Sequence, residues 1–254
     1  MTSKISDVLK IGILVVAYNA EKTLENVLAR IPIEFIPKIS SILIANDASN
    51  DYTSNIARDI KVSRPDLPIT IADQPINLGY GGNQKFGYSW MIENHMDIVV
   101  LLHGDGQYAP EYLPQMVDPI INNEADVVFG SRMINKRLAL KGGMPKYKFI
   151  GNRILTFWQN SMVGIGLSEW HSGYRAYSIS SLQRTNFLHN SNYFDFDTEI
   201  ILQLVDARQR ICEIPIPTFY GDELSRVNGI KYGWQVASHT TKWRINQIFG
   251  RHEQ

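Results

Sequence analysis

Five short, almost wholly apolar runs recur in the first 130 residues: Ile11 to Ala17, Ser41 to Ala45, Ile69 to Ala72, Ile98 to Leu102 and Asp126 to Phe129. Runs of this length without polar alternation mark strands buried on both faces. Between them the apolar period changes. Leu24, Val27, Leu28 and Ile31 fall at i, i+3, i+4 and i+7, as do Leu113, Met116, Val117 and Ile120, which is the spacing of one helix face. Strand and helix in alternation predict right-handed βαβ units and a mainly parallel central sheet flanked by helices, an α/β fold. Such sheets take their ligands at the carboxyl ends of the strands. The residues just after each strand therefore carry the most weight.

A chain of 254 residues with 44% hydrophobic and 20% charged residues has the length and composition to bury a sizeable core. Lys plus Arg equals Asp plus Glu at 25 each, and a zero net charge argues against a general nucleic-acid binder. A single cysteine, Cys212, excludes an internal disulfide framework and a cysteine zinc cage, and fits a reducing, cytosolic setting. The longest apolar run, Ile11 to Tyr18, is broken by Gly12 and far short of the roughly 20 residues of a membrane span. It enters Asn19-Ala20-Glu21-Lys22 rather than a small-residue cleavage site, so no secretory signal is expected.

After Arg132 the rhythm changes. Residues 133 to 168 contain no acid but carry Lys136, Arg137, Lys141, Lys146, Lys148 and Arg153. Gly142-Gly143-Met144-Pro145 predicts a mobile loop, followed by a helix through Ile150, Ile154, Leu155, Trp158 and Met162. Further strands are expected at Arg175 to Ser178 and Ile211 to Ile216, with a helix near Thr198 to Ala207. Residues 224 to 252 again lack acids and set Arg226, Lys231, Lys242, Arg244 and Arg251 among Trp234, Trp243, Ile248 and Phe249.

The strand ends supply the chemistry. Asp47 follows the second strand, where a carboxylate can accept from a nucleobase edge or ribose. Ser49, Asn50 and Asp51 read as turn chemistry, with Asp51 capping the next helix. In Asn77-Leu78-Gly79-Tyr80-Gly81-Gly82-Asn83 the glycines either let the backbone approach a phosphate or sugar or simply form a turn before a helix. His103, Asp105 and Gln107 alternate after the fourth strand, so an extended segment would point all three to one side. A carboxylate with an amide oxygen suits a hard divalent ion that also binds phosphates. Arg132, after the fifth strand, is a natural clamp for a diphosphate.

In order, the segments AYNAEKTL, ANDASNDYT, NLGYGGN, HGDGQ, FGSR, SGYRAYS and RVNGIK resemble family 2 glycosyltransferases of the GT-A fold. The likeness covers roughly residues 10 to 235 and is nearest the branch of dolichyl-phosphate mannose synthase and related polyprenyl-phosphate sugar transferases. The resemblance implies a nucleotide-sugar-binding domain over 1–218 and a donor-closing loop with a C-terminal amphipathic helical segment over 219–254. It implies Tyr18 and Asp47 on the nucleotide, Gly104 and Asp105 beside the donor, and Arg132, Arg226 and Lys231 on its phosphates. It puts Asp105 and Gln107 on Mg2+ or Mn2+, and Asp105, Glu169 and Arg175 in the catalytic group, with Glu169 near the acceptor. The family's D-x-D motif reads His103-Gly104-Asp105 here. One carboxylate is thus replaced by an imidazole, which suits Mn2+ better than Mg2+; His103 either ligates the ion or bonds a phosphate or metal-bound water. AYNAE in place of P-x-Y-N-E leaves Glu21 without an assigned role. His171 competes with Glu169 for acid–base work, helix capping accounts for Asp197, and Glu199 is an outer candidate for the acceptor site.

The resemblance implies a metal-dependent, inverting transfer from a GDP- or UDP-sugar to a polyprenyl or dolichyl phosphate. The alternatives are transfer to a saccharide hydroxyl in cell-surface glycan assembly, with Glu169 as base, a nucleotidylyltransferase, and a non-catalytic sugar-nucleotide sensor. The nucleotidylyltransferase would need a Gly-rich basic loop after the first strand, which AYNAEKTL lacks. The two acid-free stretches predict peripheral work at the cytoplasmic face of a membrane, with Trp158, Trp234, Trp243 and Phe249 at the headgroup boundary. The bland alternative is core packing of Trp158 and Trp243. Assembly with further copies of the chain stays open.

Overall fold

A computed structural model describes residues 9–217 and 229–250. Seven strands form one sheet: β1 (Ile11–Ala17), β2 (Ile39–Asn46), β3 (Ile69–Asp73), β4 (Ile98–His103), β5 (Val127–Ser131), β6 (Arg175–Ser178) and β7 (Ile211–Pro215). The spatial order is β3-β2-β1-β4-β6-β5-β7. All neighbours run parallel except β6, which lies antiparallel between β4 and β5. The expected strands all form, each within two residues of its sequence bounds at either end. They do so because Val, Ile and Leu fill both faces: Ile13, Leu14, Val15, Val99, Val100 and Leu101 are wholly buried.

Along the chain the helices are α1 (Leu24–Ala29), α2 (Thr53–Ser63), α3 (Tyr80–Glu93), α4 (Leu113–Ile121), α5 (Lys136–Lys141), α6 (Lys146–Val163), α7 (Ile179–Leu182), α8 (Phe196–Asp206) and α9 (Gly229–Phe249). They cover the sheet on both faces. One core joins α1, α2 and α4 to the sheet through Leu24, Val27, Ile60, Met116 and Val117. The other joins α3 and α8 through Tyr88, Met91, Phe196 and Ile200. Among the described residues no helix is long and apolar enough to cross a membrane.

One expectation changes. The segment predicted as a mobile loop follows α5, a short helix the sequence did not signal, and its Met144 is buried with Met133, Ala139 and Phe149. The helix expected through Ile150, Ile154, Leu155, Trp158 and Met162 forms as α6, with Leu155, Trp158 and Met162 half-buried. Its buried face holds Thr156, Gln159 and Val163, while Tyr147, Ile150, Ile154 and Phe157 are 73%, 55%, 63% and 76% exposed. Steps of three, four and three residues set these four on one stripe.

Candidate active site

The register of the parallel strands builds the site. Ala17 pairs with Asn46, and Val16 with His103, so Tyr18, Asp47 and Gly104 leave the sheet side by side. Asp47 is buried and ties two loops together. Its N–H donates to the Ala17 carbonyl at 2.9 Å, and its oxygens accept the N–H groups of Leu78 at 2.6 Å and Gly79 at 3.1 Å. Burial raises its pKa against these two bonds. Asn46 donates to Asp73 at 2.8 Å. Ser49, Asn50 and Asp51 serve the turn: Ser49 accepts the Asn19 N–H at 2.9 Å, and Asp51 accepts those of Glu21 and Thr53 at 3.1 and 3.0 Å, although Tyr52 rather than Asp51 stands at the N-cap position of α2. Tyr18 stays at the surface.

Gly79 takes φ +80°, the left-handed region where a side chain is strained. Gly81 has a different reason. A Cβ there would lie 2.4 Å from the Ser191 carbonyl oxygen and 2.7 Å from Phe196 Cβ. This tight packing of α3 against residues 191–196 accounts for that glycine. Gly81→Ala should therefore destabilise the protein by about 1–3 kcal/mol. Gly151→Ala, in α6 with nothing within 4 Å of the new Cβ, should stabilise it by about 0.5–1 kcal/mol. Thermal denaturation of both variants checks this, and equal shifts would refute the packing argument.

The segment after β4 is not the extended run that alternation predicted. β4 ends at His103, and Gly106 at φ +79° turns the chain. The Gly104 N–H donates to the Val16 carbonyl at 2.9 Å, and its own carbonyl accepts from Thr23 Oγ1 at 2.6 Å. Asp105 Oδ1 accepts the Gln107 N–H at 3.0 Å. The His103 ring turns inward. It packs edge-on against Tyr80 and Tyr108 at 5.6 and 4.9 Å between centroids, with Nε2 3.5 Å from the Tyr80 hydroxyl. A Cβ on Gly173 would lie 2.7–2.8 Å from its Cε1 and Nε2. Burial lowers its pKa, the nearby Asp105 opposing, so the imidazole is neutral, the form that ligates metals. Asp105, neutral His103 and the Gln107 amide make a donor set whose chemistry fits a divalent ion.

Antiparallel β6 brings a further segment to the same edge. Its first residue, Arg175, pairs with Leu101 and Phe129, so residues 169–174 lie beside the ends of β4 and β5. Arg175 is buried under the site. Its guanidinium donates to the carbonyls of Ser172, Trp170 and Asp197 at 2.9, 3.1 and 3.1 Å and pairs with the Asp197 carboxylate at 3.4 Å. Asp197 is thus no helix cap, contrary to expectation. It is buried and accepts the Tyr80 hydroxyl at 2.9 Å.

Glu169 and Arg132 form a buried pair. The Glu169 Oε2 accepts the Arg132 N–H at 2.7 Å. Its Oε1 accepts Arg132 Nε at 2.9 Å, Arg132 Nη2, and Asn152 Nδ2 of α6 at 2.7 Å. Arg132 Nη2 also donates to the His171 carbonyl at 2.9 Å. Burial favours a neutral Glu169, but the Arg132 charge and bonds outweigh it and hold the carboxyl below the usual range. His171 Nδ1 lies 2.8 Å from the Tyr232 hydroxyl of α9. Burial lowers its pKa to about 4, so it is neutral near pH 7. Lys231 sits over the Tyr193 ring at 5.9 Å; Arg226 lies outside the described residues. Lys148, which the sequence marks only as part of a basic stretch, lies near Arg132: burial and the Arg132 charge lower its pKa.

The glycosyl transferase family 2 model matches residues 12–184. Among curated relatives, UDP-N-acetylglucosamine–dolichyl-phosphate N-acetylglucosaminyltransferase of Methanococcus voltae is 27% identical over 89% of this chain and 92% of its own. Undecaprenyl-phosphate mannosyltransferase of Micrococcus luteus is 28% identical over 91% and 93%. Among solved structures, glucosyl-3-phosphoglycerate synthase of Mycobacterium tuberculosis with UDP shares the fold at a TM-score of 0.69 and 16% identity, over 93% of this chain and 80% of that one. That enzyme has also been solved with UDP beside Mn2+ or Mg2+. The sheet order, the strand-end residues and these matches agree: the chain belongs to glycosyl transferase family 2 and is a hexosyltransferase of the GT-A fold.

Proposed function

We propose that the protein moves a sugar from a GDP- or UDP-sugar to a polyprenyl phosphate, with inversion and with a divalent ion. The observation that carries the acceptor class is the state of Glu169. A hydroxyl acceptor needs a base with a lone pair within about 3 Å of its proton. Glu169 already accepts from Arg132 N, Nε and Nη2 and from Asn152, and is held ionised at the low end of its range. A lipid phosphate is anionic and needs no base. Lys148, on the same helix as the exposed Tyr147-Ile150-Ile154-Phe157 stripe and near Arg132, suits such a phosphate. Both lipid-phosphate relatives match almost end to end.

In this reading Tyr18 and Asp47 hold the nucleotide and Gly104 lets the donor lie close to the backbone. Asp105 and Gln107 hold Mn2+ or Mg2+, with His103 beside them. When bound, the ion neutralises charge on the diphosphate leaving group. Arg132, oriented by Glu169, and Lys231 with Arg226 meet the same phosphates. Arg175 supports the floor through Asp197 and Tyr80. Of the donor-closing segment 219–254, residues 219–228 and 251–254 lie outside the described residues, and α9 is the C-terminal helix.

The α6 stripe, flanked by Lys146 and Arg153, and exposed Trp234 and Phe249 of α9 would rest at the cytoplasmic face of a membrane. Trp243 plays no part, since its ring packs partly buried and donates to Asp206 at 2.9 Å. Purified protein with GDP- and UDP-sugars, Mn2+ or Mg2+ and a polyprenyl phosphate should release nucleoside diphosphate and form a glycosyl-phosphate lipid. It should float with anionic vesicles, and Ile154→Ser with Phe157→Ser should weaken that binding by about tenfold or more. Transfer to a soluble saccharide alone, without vesicle binding, would overturn both the acceptor and the membrane reading.

A further inference from the structure

α9 crosses the start of α8, where three titratable side chains meet. His239 Nε2 lies 2.9 Å from Asp195 Oδ2, and its Nδ1 lies 3.4 Å from Glu199 Oε1. Ser191 fixes the other oxygen of each carboxylate: its hydroxyl donates to Asp195 Oδ1 at 2.7 Å and its N–H to Glu199 Oε2 at 2.6 Å. The two remaining oxygens therefore both face the imidazole. A neutral imidazole carries one N–H and sets a lone pair at its other nitrogen. With both ring nitrogens against carboxylates, the cluster is complete only with a second proton, on Nδ1 or on Glu199.

The surrounding charges agree. At the start of α8 the carboxylates of Asp195 and Glu199 favour the imidazolium; Lys242 of α9 opposes it, and Lys85 of α3 acts on Glu199. The Asp195 bond raises the His239 pKa. Burial raises that of Glu199, while the bonds from His239 and Ser191 lower that of Asp195 against burial. About two turns earlier on α9, the Tyr232 hydroxyl meets His171 at 2.8 Å, and the His171 carbonyl accepts from Arg132. The clasp thus stands behind the wall of the active site.

We propose that His239 is a proton-dependent positioning residue: its doubly protonated ring ties α9 to Asp195 and Glu199, and loss of that proton loosens the helix that carries Tyr232 to His171. The proposal holds whatever the sugar or acceptor. A raised native pKa means that the folded protein binds the extra proton. The stabilisation is full below the ordinary histidine value of about 6.5 and is lost as pH rises through the higher folded value.

Hydrogen exchange of the full chain, in EDTA at pH 6 and pH 8.5 and corrected for intrinsic rates, tests it. Amides of α9 should open about tenfold more at pH 8.5, the size of one lost charge-assisted hydrogen bond, with α1 and α2 unchanged. His239→Gln should open α9 equally at both pH values, and His239→Lys, which keeps a cation through this range, should hold it closed at both. Equal wild-type protection at the two pH values, or wild-type pH dependence surviving in His239→Gln, would overturn the proposal. So would protection that appears only with added Zn2+, which would give the slot to a metal ion.

Discussion

Glu169→Ala should destabilise the protein by about 3–5 kcal/mol, the cost of stranding one member of a buried ion pair. The Glu169 side chain is 0% exposed and that of Arg132 only 7%, so water cannot replace the lost carboxylate. Urea denaturation measures the loss. Replacing both partners together, Glu169→Leu with Arg132→Met, should cost less than the single change, because no charge is left behind. A single-variant cost under about 1 kcal/mol would show that the pair is hydrated. The pH dependence follows by sign. Glu169 is held below its unfolded pKa, so its stabilisation is present above the ordinary carboxylate value and lost as pH falls through the folded one. Wild type should therefore lose stability more steeply in acid than the variant.

Asp105→Asn should lower turnover by on the order of a hundredfold or more while leaving the melting temperature nearly unchanged. Asp105 is the motif's one carboxylate, and its only described protein bond is the local one from the Gln107 N–H, so the fold does not depend on it. Release of nucleoside diphosphate from the donor, with metal and with excess chelator, reads the effect. Full activity of the variant, or of wild type in chelator, would remove the ion from the mechanism. His103→Asp tests the imidazole. If His103 acts only near the ion, the change should be tolerated and move preference from Mn2+ toward Mg2+. The ring is packed among Tyr80, Tyr108 and Gly173, so loss of activity with both ions would mean that packing, rather than ligation, is its role.

The parallel half of the fold was legible because its strands are mostly apolar, so that few polar residues, Ser41 and Thr70 among them, blur the pattern. Asp47, Asp105 and Arg132 were singled out from position alone, since each sits within two residues of a strand's end. What escaped reading depends on contacts distant in sequence. Nothing local says that Arg175 begins an antiparallel strand between β4 and β5, or that its charge is spent on carbonyls of residues 170–172 and on Asp197. Asp197 looked like a cap because acids at helix starts usually are; the hydroxyl that claims it lies 117 residues away. The exposure of the α6 stripe escaped for another reason. Helical periodicity reveals that an apolar face exists, and it does not reveal whether protein or something else covers it.

The placement of α6 has a consequence for how such an enzyme could be rebuilt. Apart from Arg132, Arg226 and Lys231, the side chains assigned to the nucleotide and its ion come from the ends of β1, β2 and β4, whereas Asn152, Lys148 and the stripe come from one continuous helix. A single cassette, residues 146–163, therefore holds most of what would choose the second substrate. Chimeras that exchange this cassette for the corresponding helix of a relative, keeping Asn152 for Glu169 and Asn160 for the Trp170 indole, should inherit the relative's acceptor range and retain their own donor.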